Sequence, residues 1–286
     1  MSVLREPKAV YSVVDGLPLM DVGAWAEKKH SLVRTYTEMF ARGMKNKMRH
    51  RVYVDLFCGP GKVQIRGTNK IMLGSPLLAL DIPDKFTEYV FCDEDEANLG
   101  ALKERVSSNH PEIVPCYIVG DCNERIEDVL AHIPQRNALT FCFVDPYNLG
   151  IQFDTVRRLA QRPVDFLMSL MLGVDALRNS KLYIGQNSTR IENFLGRSDW
   201  RELWDKEGKN GKSFPRFLAE AFVGQMIGLG YRDDALKTMV EVRSDDHNLW
   251  LYHLAFFSRH ERGYDFWEKG KRYATDQLEL ELSKSE

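Results

Sequence analysis

No two of the five cysteines, Cys58, Cys92, Cys116, Cys122 and Cys142, stand as C-x-x-C, and no His/Cys set has ligand spacing. His30, His253 and His260 are scattered, so no metal site is expected. Most of the cysteines sit in apolar, strand-like runs, where buried reduced thiols are common. Their odd number and the lack of a leader-like start predict a reducing, cytoplasmic setting. No apolar run approaches the roughly 20 residues that cross a bilayer, so no membrane partner is expected. Internal repeats and low-complexity tracts are missing too. Nor does one charge dominate: the formal net charge is -2, which excludes a uniformly basic surface. A local basic patch remains compatible with nucleic acid.

What is present suits a sizeable core, with 44% apolar and 28% charged residues in a chain of 286. Residues 1–50 read as an extended arm over about two dozen residues, then a helix from near Asp21. In that helix Trp25, Leu32, Val33, Tyr36, Met39 and Phe40 share a face. From Arg51 strand-like and helix-like segments alternate. Strands are predicted over Arg51–Leu56, Glu88–Cys92, Ile113–Val119, Leu139–Val144 and Val164–Leu172. Helices are predicted over Ser75–Leu80, Glu96–Ser107, Glu124–His132 and Phe153–Gln161, the first with Ser75 as its cap and Pro76 in its first turn. Residues 173–235 look helical, an insertion suited to recognising a target. Leu236–Val242 and Leu249–Phe257 read as a hairpin around Ser244-Asp245-Asp246-His247-Asn248, before a last helix from Glu261. The alternation predicts an α/β domain over 51–172 and 236–286: a mostly parallel, seven-stranded sheet flanked by helices, with an antiparallel hairpin at the end.

The first strand runs into VDLFCGPGK, a glycine turn. It lacks the spacing and the hydroxyl of a P-loop, since Val63 follows Lys62. It also lacks the third glycine of a dinucleotide fingerprint, where Gln64 stands. Four acids, each just after a predicted strand, decide among the ligands: Asp55, Asp93 in FCDEDE, Asp121 in IVGDCNE and Asp145 in FVDPYN. One such acid alone would pass for a helix cap. Four at one rim would repel a polyphosphate and suit a sulfonium, an ammonium, ribose hydroxyls and an adenine amine, the groups of S-adenosylmethionine. Phe57, Cys58, Gly59 and Gly61 would then wrap the amino-acid end of the donor, with Asp55 steering its ammonium directly or through water. Asp93 or Glu94 would accept the ribose hydroxyls, and Asp121 the adenine amine beside the Cys122 amide. The stretch Lys62–Gly74, with Lys62, Arg66 and Lys70, reads as a basic flap.

VDLFCGPGK, GSPLLAL, FCDEDE, GDCNE and FVDPYN, in this order, together with KKHSLVRTY and LYHLAFFSRH, resemble the three-Cys-motif partner (TcmP) family. The resemblance spans most of the chain and is weakest over 180–235. It implies a Rossmann-like class I S-adenosylmethionine-dependent methyltransferase fold and a partner protein carrying three cysteines, of radical type.

Asp145-Pro146-Tyr147 sits where such a fold places its chemistry. Methyltransferases acting on base amines use an acid, two prolines and an aromatic there. Here Asp145 would hold the amine, with Pro146, and Tyr147 would stack on the base, but the second proline is missing. An Asp-Pro turn with a packed tyrosine would look the same. Pro115-Cys116 lies at the start of the third strand rather than after the fourth, which sets it apart from a cysteine nucleophile. Residues 27–51 hold eight Lys or Arg and two Glu, a strip over 28–51 that suits an RNA or DNA backbone or, equally, a solvated helix face. Three readings stay open: a methyltransferase on a base amine, a donor-binding accessory of the three-Cys protein, and a methyltransferase on a small molecule or peptide.

Overall fold

The computed structural model describes residues 10–185, 188–244 and 248–282. The chain first lays down two short strands, β1 (Val10–Tyr11) and β2 (Pro18–Val22), and then the long helix α1 (Ala26–Met44). Strands β3 (His50–Asp55), β4 (Lys62–Ile65) and β5 (Ile71–Leu73) precede helix α2 (Ser75–Asp81). An alternating series follows: β6 (Glu88–Asp93), α3 (Glu96–Asn109), β7 (Cys116–Val119), α4 (Ile126–Ala131), β8 (Ala138–Val144), α5 (Phe153–Leu159) and β9 (Val164–Leu170). A π-helical turn over Leu172–Leu177 opens a helical stretch of α6 (Ser180–Ile184), α7 (Arg190–Leu195), α8 (Trp200–Lys209), α9 (Phe214–Gly228) and α10 (Ala235–Thr238). Strands β10 (Val240–Arg243) and β11 (Trp250–Phe257) and helix α11 (Glu261–Leu282) complete it.

Seven strands form the main sheet in the order β10-β11-β9-β8-β3-β6-β7. The five from β3 to β9 that belong to it are parallel, and β11 runs antiparallel to both β9 and β10. This is the Rossmann-like α/β sheet that the sequence predicts. Its central strands are buried on both faces, which is why β3, β8 and β9 read as mostly apolar runs without a polar face. Leu32, Val33, Tyr36 and Phe40 of α1 pack on one face with α11, where the Tyr36 and Phe256 rings lie 4.7 Å apart. Helices α5, α7 and α9 cover the other, with Phe222 4.9 Å from Phe194 and 5.6 Å from Phe153. None of the described helices is long and apolar enough to cross a membrane.

Three expectations are corrected. The arm is not merely extended, and the Lys62–Gly74 stretch is not a loose flap. Strands β1, β2, β4 and β5 form a second, four-stranded sheet, with β2 parallel to β4. Its bases are neutralised by the arm and the first turn of α1: Lys62 meets Asp15 at 2.9 Å, Arg66 meets Asp21 at 2.8 Å and Lys70 meets Glu27 at 2.8 Å. Secondly, Gly74 caps α2, and the Ser75 hydroxyl serves Asp55 instead. Thirdly, several borders move. Helix α1 starts at Ala26, β7 only at Cys116 after Pro115, which has no N–H to give, and α10 replaces the first part of the strand expected from Leu236. The hairpin residues Asp245, Asp246 and His247 lie outside the described residues, as do 1–9 of the arm and 283–286 of the last helix.

Arg105 fastens the small sheet to the large one. From α3, and only 2% exposed, it bonds Asp15 at 2.9 and 3.0 Å, the Pro18 carbonyl at 2.8 Å and the Pro60 carbonyl of the glycine turn at 2.6 Å. The guanidinium, and then Lys62, hold the Asp15 carboxyl well below the usual carboxylate range. Replacing one member of such a pair strands the other. Arg105→Leu is expected to cost about 3 kcal/mol of stability in urea unfolding. The double variant Asp15→Asn/Arg105→Leu should cost less than the sum of the two single changes.

Candidate functional site

The carboxyl ends of β3, β6, β7, β8 and β9 meet at one rim, and strand order reverses at β3, between β8 and β6. Open α/β sheets bind their ligands at such a switch point. The glycine turn follows β3, with Gly59 at φ +60° and Gly61 at φ +85°, conformations that a side chain disfavours. Space is short as well. A Cβ on Gly61 would come within 2.8 Å of Leu102, and one on Gly59 within 2.6 Å of the Met20 methyl of β2. The N-terminal strand thus lies across the turn.

Three of the four rim acids, Asp55, Asp93 and Asp121, hold backbone in place. Asp55, fully buried, accepts the Phe57 N–H at 3.3 Å beneath the turn, and the Ser75 hydroxyl bonds it as well. Burial raises its pKa to about 7 against the pull of Ser75 and Phe57, and Asp145 and Asp93 add to the rise. Asp93 accepts the Gly59 N–H at 2.8 Å on one oxygen, and on the other the Asp95 N–H at 3.0 Å and the Asn98 amide at 3.1 Å. Asp93 therefore ties the turn to the start of α3. Glu94 beside it is exposed, with no partner among the described residues. Asp121 is exposed and accepts two bonds from Asn123, both at 2.9 Å. Cys58 and Cys122 are buried, and burial pushes both thiols up, away from reactivity. Phe57 is half-buried.

Asp145 is engaged more deeply than the sequence suggests. The Lys29 ammonium of α1 donates to its Oδ2 at 2.5 Å, and the Ser169 hydroxyl of β9 donates to Oδ1. Burial pulls the Lys29 pKa down, but Asp145, with Tyr252 and Tyr147, more than reverses this, so the lysine stays charged. Its ammonium stands 5.8 Å over the Tyr252 ring. Burial and then Lys29 hold His30 next door neutral, with a pKa of about 3. The Tyr252 hydroxyl and His30 Nδ1 are buried without a hydrogen-bond partner among the described residues, two open polar positions in the side chains around this pair. Pro146 is buried, and Tyr147 is half exposed. Asp175, in the π-helical turn, accepts the Leu149 N–H at 2.7 Å, fixing the loop that follows Tyr147. A separate cavity of about 450 Å³ between α9, α10 and β11, bordered by Trp250 and His253, touches none of the rim acids.

Lys29, Ser169, Asn123 and Asp175 are site residues that sequence reasoning missed. For Lys29 a signal existed: positions 29, 32, 33 and 36 share one helix face, so this lysine sits on the apolar stripe of α1 rather than on its solvated side. Asn123 links the ends of β7 and α5, taking the Gln152 N–H at 2.9 Å and the Thr155 hydroxyl at 2.8 Å.

The raised pKa values of Asp55 and Asp165, each about 7 and each caused first by burial, have a sign that can be measured. In the unfolded chain both groups ionise near pH 4. Between about pH 4 and about 7 the folded protein holds more protons, so stability is full below that window and falls as pH rises through it. Urea unfolding across the window should show this decline. Asp55→Asn and Asp165→Asn should each flatten part of it, and an unchanged slope in both would refute the assignment.

No family model matches the chain, and neither does any curated protein. Among solved structures it is similar to a Legionella pneumophila protein, with 8% identity over 80% of this chain and 85% of that one and a TM-score of 0.46. It is also similar to Trm1 from Pyrococcus horikoshii in complex with S-adenosyl-L-methionine, with 12% identity over 91% and 62% of the two chains and a TM-score of 0.46. Against the bifunctional kinase-methyltransferase WbdD the figures are 15% identity, 81% and 39%, and 0.43. Scores this low leave the functional reading to the site itself.

Proposed function

We propose that the chain is an S-adenosylmethionine-dependent methyltransferase acting on an amino group of a nucleic-acid base. The observation that carries this is the glycine turn at the switch point, held by Asp93 and ringed by acids, while the nearby Lys29 and Lys62 are already paired with Asp145 and Asp15. When bound, the donor supplies a methyl group on a positively charged sulfur. The donor set of the rim suits it. Backbone from Phe57 to Gly61 surrounds its amino-acid end, with Asp55 beneath. Asp93 and the exposed Glu94 offer acceptors for ribose hydroxyls. Asp121 faces an adenine amine, with the Cys122 amide nearby.

Asp145 then orients the acceptor. Each carboxylate oxygen accepts two hydrogen bonds, and Lys29 and Ser169 each occupy one position. One lone pair per oxygen is left for the hydrogens of an incoming amine, with the Pro146 carbonyl as a further acceptor. Drawing those hydrogens aside leaves the nitrogen lone pair free to attack. Tyr147 offers half its surface as a stacking platform, worth about 1–3 kcal/mol per base.

A second reading is favoured by the same engagement of Asp145 and by the single proline of Asp145-Pro146-Tyr147. In it the chain binds the donor and positions substrate for a three-Cys-motif partner of the kind the TcmP resemblance implies, without transfer of its own. A small molecule or peptide made by that partner is the remaining acceptor, with turnover only when the partner's product is supplied.

Purified protein given labelled donor with mixed RNA and DNA is expected to methylate a base. Asp145→Asn should lower transfer by about 10²-fold or more and leave calorimetric binding of S-adenosylhomocysteine within about twofold, because Asp145 is assigned to the acceptor. Binding without transfer to either pool would favour the accessory reading, and no binding heat would refute the donor. Lys29→Met should lose transfer along with about 3 kcal/mol of stability, since it strands a half-buried carboxylate.

A further inference from the structure

The fold splits the basic segment 28–51 between two ends of the molecule. Helix α1 has 19 residues and feeds β3 at the amino end of the sheet. At 1.5 Å per residue it is about 28 Å long, so its last turn lies far from its first. Arg42, Lys47 and Arg49 therefore stand at the far end from Asp145, while Lys29 is already engaged there. Arg34 and Lys45 pair with Asp81 and Asp84. On the rim side, Arg157 and Arg158 pair with Asp154 and Glu127.

Other cations border the acceptor loop. Arg190 lies against Gly150, its guanidinium 3.7 Å from where a Cβ there would sit. Asp175 joins the same loop to the stretch bearing Arg178 and Lys181: besides the Leu149 N–H it accepts from Asn179 at 2.7 Å and from the Tyr183 hydroxyl at 2.6 Å. Arg178, Lys181 and Arg190 are exposed, and none has a carboxylate partner among the described residues. Tyr147, 50% exposed, stands on the same loop, and Leu182, 68% exposed, follows Lys181 in the chain. An exposed ring on a loop bordered by cations is what a single strand needs, charge for its phosphates and a platform for its bases.

We propose that Arg178, Lys181 and Arg190, beside Tyr147, form the track for the phosphate backbone of a single-stranded nucleic acid whose base reaches Asp145. This rests on the base-amine reading above. Lys45–Arg51, at the opposite end, is not part of the track.

Fluorescence anisotropy with labelled RNA and DNA single strands, titrated between about 50 and 200 mM salt, tests it. Each phosphate contact to a single strand contributes about 0.7 to the slope of log K against log salt. The triple variant Arg178→Ala/Lys181→Ala/Arg190→Ala should lose about 2 from that slope, and Arg190→Ala alone about 0.7. Both should keep wild-type affinity for S-adenosylhomocysteine. Arg42→Ala/Lys47→Ala/Arg49→Ala should leave the slope unchanged. An unchanged slope in the rim variant, or the loss appearing in the α1 variant instead, would overturn the track while leaving base methylation intact. Displacement of the strand by a polyglutamate peptide of equal charge at equal concentration would assign the surface to an acidic protein and overturn it too. If no strand binds the wild-type protein, the base-amine reading falls with it.

Discussion

A lysine buried against a sheet is tolerable only if an opposite charge lies against it, and Asp145 meets that need for Lys29. The pair joins α1, which arrives before the main sheet begins, to the end of β8, the proposed seat of the chemistry. It settles which way the amino-terminal third approaches the rim. The helix that carries Lys29 also carries Tyr36 and Phe40 into the aromatic core beneath, so one face of α1 serves both packing and the site. An aliphatic pair would pack as well, and ion pairs of this kind are weak evidence for stability. Its place beside Tyr147 and the unpartnered Tyr252 hydroxyl makes a functional role the better account.

The acids that identify the rim turn out to be builders of it. Asp55 holds Phe57, Asp93 holds Gly59, and Asp121 holds Asn123. A carboxylate that fixes the backbone N–H groups of a glycine turn shapes the surface a ligand meets, whether or not it touches that ligand. In the proposed function, selection of a cationic ligand and construction of its cradle would be carried by the same side chains, and Glu94 alone of the predicted donor acids stands clear of such bonds among the described residues.

Much of this was legible in the sequence. Continuous apolar strands alternating with helical periodicity gave β3 and β6 to within a residue and placed β8 and β9, because buried central strands leave little freedom in composition. The second sheet was not legible. Its strands run from two to five residues, below the length at which alternation shows, and β2 finds its partner only through pairing distant in sequence. The Lys29–Asp145 contact spans 116 residues, and the sign of Lys29 alone pointed to solvent. Glycine at 59 and 61 was readable as a turn, but not that Met20 lies over it.

Parallel pairing of β2 with β4 needs a long return path. Asp21 and Arg66, which close that pairing, are 45 residues apart, and α1 and β3 supply the crossover between them. The glycine turn is therefore roofed by a strand that enters from well upstream. Arg105 clasps roof and turn together through the Pro18 and Pro60 carbonyls.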